Sequence, residues 1–318
     1  MNKILLVLSL LLGGCGSFHF SERTSAVPPP ETQQRLWVDG DFACRGDQWF
    51  ADPDDCLAVF LARQADAHIV GISTVGGNAR SDVAFAVARE IAGTISVYRG
   101  ESECGSSMVS AFRAEAQSGQ MTILALGPLT NIATILRCNA SLRNSIREIV
   151  FVGGRRQGQE FISNPRWLWH IALRDLNVEE DLSAVASVLQ SGVPIRLVPF
   201  EAGNAVPIRV WTEGFRNSDI SPSLLAQLRR WSVLTSVSWG SEGILPFDPV
   251  AVAAILWSSE FECVAVATTM AGNRLEVTSQ VGSTTRYCLP KNPALLRDYI
   301  LHFILGRRTA PAPLVALR

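Results

Sequence analysis

The chain has 318 residues, 47% of them hydrophobic and 18% charged, with 28 Lys+Arg against 29 Asp+Glu and a formal net charge of −1. These proportions furnish a large core and exclude a disordered, collagenous or coiled-coil chain. Without a positive excess or a Lys/Arg block there is nothing to neutralise a phosphate backbone, which argues against nucleic acid as the main partner.

Met1 to Gly14 reads as a secretory signal, with Lys3 ahead of the apolar run Ile4–Leu12 and small residues after it. The run is too short to cross a bilayer core, which needs about 20 apolar residues. Leu12-Gly13-Gly14-Cys15 resembles the lipobox of bacterial lipoproteins, with Gly13 where Ala or Ser is commoner, and marks Cys15 as the expected lipidation site. The expected organisation is a signal peptide over 1–15, a tether over 16–34 containing Pro28-Pro29-Pro30, and one domain over 35–318. Such a chain is exported and held by lipid at the periplasmic face of a bacterial membrane. Gly16 in place of Asp after the cysteine points to the outer membrane.

From Arg35 onward, short β-type runs alternate with segments of helical period. Strands are predicted at Leu36–Val38, Ile69–Thr74, Ile95–Tyr98, Thr122–Leu126, Glu148–Val152 and Ile195–Pro199. Helices are predicted at Cys56–Arg63, Val83–Ala92, Ser107–Gln117, Asn131–Leu136 and Leu182–Leu189, the first with Leu57, Phe60 and Leu61 on one face. Nearly continuous apolar strands in such alternation imply a single doubly wound α/β domain with a mostly parallel central sheet covered on both sides.

After Cys15 come Cys44, Cys56, Cys104, Cys138, Cys263 and Cys288, an even number that permits disulfides outside the cytoplasm. Spacing alone does not choose the pairing. Cys263–Cys288 is the expected bridge, at the two ends of a two-stranded excursion, while Cys56 and Cys138 read as small buried hydrophobes on helical faces.

Ligands of doubly wound folds gather at the carboxyl ends of the strands. There the sequence places Asp39, Asp41, Asn78, the turn Gly127-Pro128-Leu129-Thr130-Asn131 with Thr130 as helix cap, Gly153-Gly154 and Glu201. Asp39-Gly40-Asp41 follows the first strand and Asp52-Pro53-Asp54-Asp55 enters the first helix. Asp54 and Asp55 by themselves read as helix-capping acids rather than ligands. Joined to Asp39 and Asp41, they form an all-oxygen cluster suited to a hard cation, Ca²⁺ or Mg²⁺.

These motifs, with Gly71-Ile72-Ser73-Thr74-Val75-Gly76-Gly77-Asn78, Leu126-Gly127-Pro128-Leu129-Thr130-Asn131, Asp175-Leu176-Asn177 and Phe247-Asp248-Pro249-Val250 in the same order, resemble the inosine–uridine-preferring nucleoside hydrolases. The resemblance runs from Leu36 to about Leu289. It implies cleavage of the N-glycosidic bond of ribonucleosides to free base and ribose. It further implies a Ca²⁺ held by Asp41, Asp55, Asp248 and the backbone carbonyl of Leu126, with Asp39 as a further ligand or close behind. By the same resemblance Asp54, Asn78, Asp175 and Asn177 hold the ribose hydroxyls, and Asp41 is the general base toward a water held at the ion. The resemblance also implies a homo-oligomer.

Three positions depart from the family pattern. Phe42 to Pro53 intervenes between Asp41 and Asp54, where relatives have only a few residues. Asp175 stands where Glu is usual. Phe247 replaces the His that precedes the metal-binding Asp and protonates the departing base, a loss of about 10²–10⁴-fold in rate for a general acid. Trp167, Trp169, Trp231, Trp239 and Phe247 are candidates for stacking the base instead, and His170 is the histidine placed to replace the acid. Two alternatives follow: a Ca²⁺-dependent ribosyl-binding lipoprotein that lost hydrolysis with its His, and a phosphatase built on Asp39 and Asp41, in which Asp54 and Asp55 have no role. Asp181 reads as a helix cap, and His68 and His302 as surface residues.

Overall fold

The computed structural model describes residues 27–31, 33–45, 52–164, 172–211, 214–215 and 218–306. Cys15, the signal segment, residues 46–51 of the insertion, and Trp167, Trp169 and His170 lie outside the described residues.

Predicted alternation becomes β1 (Leu36–Gly40), α1 (Asp54–Gln64), β2 (Ile69–Thr74), α2 (Ser81–Ile91), β3 (Val97–Arg99), α3 (Ser107–Gln117), β4 (Met121–Ala125), α4 (Thr130–Cys138) and β5 (Ile146–Val152). It continues through β6 (Arg155–Arg156), α5 (Leu176–Glu179), α6 (Leu182–Leu189), β7 (Ile195–Val198), α7 (Phe200–Asn204), α8 (Pro222–Trp239) and α9 (Phe247–Leu256). Then come β8 (Phe261–Ala271), β9 (Arg274–Ser279), β10 (Thr285–Pro290) and α10 (Pro293–Ile304). The strands form one sheet in the order β3-β2-β1-β4-β5-β7-β10-β8-β9-β6. From β3 to β10 every pairing is parallel, and β8 is antiparallel to both β10 and β9. Among the described residues no helix is long and apolar enough to cross a membrane.

Side chains of β1 are buried on both faces, Leu36 and Val38 in one core cluster and Trp37 in the other, as a doubly covered strand requires. β8 alternates buried and exposed positions, the pattern of an antiparallel edge region with one wet face. The last three strands therefore lack the continuous apolar runs that revealed the others, and the reading from sequence reduced them to an excursion.

Three disulfides are present, Cys44–Cys56, Cys104–Cys138 and Cys263–Cys288. The last joins directly opposed residues of β10 and β8, as expected. Cys56 and Cys138 are not free hydrophobes, which corrects the sequence reading. Their positions on packed helices set their burial, and burial is equally compatible with a bonded partner brought in by the tertiary fold.

Part of the stretch read as tether is docked on the domain. Glu31 N–H donates to Leu256 O at 2.7 Å, Trp257 Nε1–H donates to Pro28 O at 3.1 Å, and Val27 packs against the core. A chain beginning at Arg35 should therefore be less stable to urea than one beginning at Val27. Losing these contacts is expected to cost about 1–3 kcal/mol, and equal midpoints would show the segment to be dispensable.

Candidate active site

Chain order reverses between β1 and β4: β2 and β3 extend the sheet on one side of β1, while β4, β5 and β7 extend it on the other. The crevice at the carboxyl ends of strands at such a switch point is where open α/β sheets bind ligands. Asp39 lies within β1, Asp41 just beyond it, and Leu126 just beyond β4.

Asp39 is buried. Its Oδ1 accepts hydrogen bonds from Ser73 Oγ and, at 2.7 Å, from Asn131 Nδ2, whereas its Oδ2 has no partner. Asp41 is held from two sides: its N–H donates to Asp55 Oδ1 at 3.1 Å, and its Oδ2 accepts from the Asn78 N–H at 2.6 Å. Its Oδ1 is buried without a partner. Both approaches need glycine, because a Cβ at Gly40 would stand 2.4 Å from Asp55 Oδ1 and one at Gly77 would stand 2.1 Å from Asp41 Oδ2.

Asp54 and Asp55 occupy the first turn of α1, and Asp248 the first turn of α9. Asp54, Asp55 and Asp248 can each offer an oxygen such that all lie within 4.8 Å of one another. Asp54 Oδ2 also accepts from the Asp248 N–H at 3.0 Å. The tightest carboxylate group thus includes Asp54, read from sequence as a sugar contact, while Asp41 adjoins it through Asp55. Neither Asp54 nor Asp55 caps its own helix; Asp52 Oδ1 accepts from the Asp54 N–H at 3.2 Å.

Among the described residues no Lys or Arg forms an ion pair with Asp39, Asp41, Asp52, Asp54, Asp55 or Asp248. Burial pushes Asp39 up to about 7 and Asp41 and Asp54 up to about 6, and raises Asp52, Asp55 and Asp248 well above 3.8, with the neighbouring carboxylates adding to the last three. An all-oxygen, cation-poor cluster with two orphaned carboxylate oxygens fits a hard divalent ion.

A cavity of about 360 Å³ opens over this floor. Asp52, Asp54, Asp55, Asn78, Leu126, Asp175, Asn177 and Asp248 line it, with Asp39 and Asp41 behind the lining. Asp175 is buried and raised to about 6 by burial, an effect reduced by the Gly154 N–H, 2.8 Å from its Oδ2, and by the charge of Arg155. Asn177 Nδ2 donates to both Leu126 O (2.9 Å) and Val152 O (3.0 Å), bridging the ends of β4 and β5 and leaving its Oδ1 for a ligand. The Leu126 carbonyl, at the turn after β4, thus has one lone pair taken by Asn177.

Another part of the lining is aromatic. Phe161 and Phe200 stack at 4.6 Å, Phe247 meets Phe200 at 5.5 Å, and Trp231 and Trp239 meet edge to face at 5.5 Å. Sequence reasoning missed Phe161, Phe200 and Asp52 as cavity residues. For Phe200 the signal was available, since it directly follows the predicted strand Ile195–Pro199, where the sequence pointed instead to its neighbour Glu201. Glu201 instead accepts from Tyr287 Oη and lies 3.9 Å from Arg156, away from the cavity lining. Thr130 does not cap α4; its hydroxyl donates to Asp181 Oδ2 at 2.7 Å, while Asp181 caps α6 as read.

The family description "inosine-uridine preferring nucleoside hydrolase" matches residues 37–288. The chain is 28% identical over 129 residues to nucleoside hydrolase 3 of Arabidopsis thaliana, covering 31% of this chain and 14% of that protein. It is 30% identical over 89 residues to the pyrimidine-specific ribonucleoside hydrolase RihB of Escherichia coli, covering 28% of this chain and 26% of that one. The matches thus span well under two thirds of these relatives. The fold superposes on a purine-preferring ribonucleoside hydrolase from Gardnerella vaginalis with a TM-score of 0.70 at 17% identity, covering 86% of this chain and 98% of the other.

The raised carboxyl groups carry a sign for stability. Each binds its proton more tightly folded than unfolded, so its contribution is complete below its ordinary value of 3.8 and is lost as pH rises through 6 to 7. The metal-free protein should show a falling Tm between about pH 4 and pH 7, and excess Ca²⁺ should abolish the fall. A Tm at neutral pH indifferent to Ca²⁺ would refute an ion at this cluster.

Proposed function

The chain belongs to the inosine-uridine preferring nucleoside hydrolase family, and on that premise we propose that it hydrolyses the N-glycosidic bond of ribonucleosides, releasing free base and ribose. The observation that carries this reading is the carboxylate group Asp54, Asp55 and Asp248, assembled from remote segments on the floor of one cavity.

We assign Asp41, Asp55, Asp248 and the carbonyl of Leu126 to a Ca²⁺, with Asp54 close enough to share it and Asp39 backing Asp41. When bound, such an ion neutralises the acids and, as a Lewis acid, orients hydroxyl and water oxygens. Asp41 is the general base: with Oδ2 fixed by the Asn78 N–H, its free Oδ1 is the atom to take the proton of a water attacking C1′. Asp54, Asn78, Asp175 and Asn177 take the ribose hydroxyls, Asn177 through Oδ1. The anionic floor favours the positive charge that develops on the sugar ring. A deoxyribose would leave these buried acceptors unpaired and be rejected. Phe247 offers the leaving base a ring rather than a proton.

That exchange also favours the second reading, a ribosyl-binding protein without turnover. A ribonucleoside panel scored by reducing sugar separates the two: release that stops on chelation and returns with Ca²⁺ supports the hydrolase, and ligand-induced stabilisation without release supports binding. Asp41→Asn should lower kcat by about 10²–10⁴-fold while the variant keeps its fold by circular dichroism. Near-native turnover in this variant would remove Asp41 from the role of base.

We also propose export and lipid anchoring through Cys15. Three disulfides support an oxidising compartment. Cys15→Ala should abolish incorporation of labelled lipid and release the chain from the membrane fraction. Continued labelling would exclude this site.

A further inference from the structure

We propose that the base subsite selects ribonucleosides whose base carries a fixed positive charge, such as N-alkylated purines or pyridinium-type bases. This rests on the hydrolase reading above and specifies its substrate class.

Two features of the cavity point to it. First, the described part of its aromatic wall offers no imidazole, thiol, phenol or ammonium. Phe161, Phe200 and Phe247 form a continuous series of rings, at 4.6 and 5.5 Å between successive centroids, with Leu245 buried beside them. Among the described lining residues there is no His, Cys, Tyr or Lys. A neutral base leaves as an anion and needs an acid, whereas a cationic base does not. Second, the cavity is strongly anionic. Asp52, Asp54, Asp55, Asp175 and Asp248 line it against Arg174, which is committed to Glu179 at 3.0 Å and Glu180 at 3.8 Å. A divalent ion offsets only two of these charges. Asp52 comes from the insertion and is not among the proposed ion ligands, so it adds a carboxyl group beyond them. At the end of the series Arg155 Cζ lies 3.9 Å from the Phe161 centroid, a cation–π contact that commits that ring, so Phe200 and Phe247 are the rings left for the base.

The bond changes balance without an acid. The C1′–N bond breaks with its electron pair passing to the base nitrogen, which cancels the positive charge of the base. The water oxygen bonds to C1′, and its proton passes through Asp41 to solvent. A cationic nucleoside and water thus give ribose, a neutral base and a proton.

The test uses the full chain with Ca²⁺ and three substrates: 7-methylguanosine, guanosine and p-nitrophenyl riboside, a neutral compound whose leaving group needs no acid. We expect kcat/KM for 7-methylguanosine to exceed that for guanosine by about 10²-fold or more, the scale of a missing general acid. Phe247→His should narrow that ratio by raising the guanosine rate. Asp52→Asn should raise KM for 7-methylguanosine more than for p-nitrophenyl riboside. Independently of turnover, 1-methylnicotinamide, a pyridinium cation, should bind about tenfold more tightly than neutral nicotinamide by tryptophan fluorescence, as a cation held by ring faces and a carboxylate would. Comparable rates on the two guanosines with p-nitrophenyl riboside cleaved, or equal binding of the two nicotinamides, would overturn charge selection and leave the hydrolase intact. Failure to cleave any of the three would overturn both.

Discussion

Asp54, Asp55 and Asp248, all buried, bring carboxylate oxygens within 4.8 Å of one another, where like charges repel unless they are protonated or share a cation. The surrounding structure is arranged to tolerate that charge. α1 and α9 both begin at the cluster, so their unpaired N–H groups and positive dipole ends face the acids. The Asp248 N–H goes to Asp54 and the Asp54 N–H to Asp52. α9 is buried almost throughout, which a helix presenting a charged residue at its tip achieves only when that tip meets partners inside the protein.

The placement of these groups is inherited from the sheet. The register of β1 between β2 and β4 sets Asp39 against Ser73 and Ala125, so that Ser73 and the Asn131 amide converge on the same carboxylate. Behind it Trp37, buried completely, passes its indole N–H to Ser73 at 2.8 Å and stacks on Tyr98, tying the orientation of Asp39 to the core. Asn177 performs the corresponding task across β4 and β5, fixing two carbonyls at once. A side chain read as a sugar contact therefore also holds the frame of the site.

The insertion after Asp41 changes the site without displacing it. Cys44 and Cys56 are 12 residues apart and joined, so the extra segment is closed off at its base and Asp41 still meets Asp55. The price is a further buried carboxylate, Asp52, at the mouth of α1. In the same cavity Phe247 continues an aromatic series with Phe200 and Phe161.

Much was legible in the residues themselves. Continuous apolar strands give the parallel half of the sheet because both faces are buried, and acidic residues just after those strands are marked because backbone connectivity alone carries them to the carboxyl edge. The composition of the cluster, oxygen without nitrogen or sulfur, already indicated the kind of ion it suits. Tertiary structure decided what depends on distance between remote segments: which three acids crowd together, that Asn177 spans two strand ends, that Cys56 and Cys138 are bonded, and that Phe200 rather than Glu201 faces the cavity. A local pattern fixes the period of a helix or strand, but not which neighbour occupies the space its side chain enters. That is settled only when distant parts of the chain compete for the same volume.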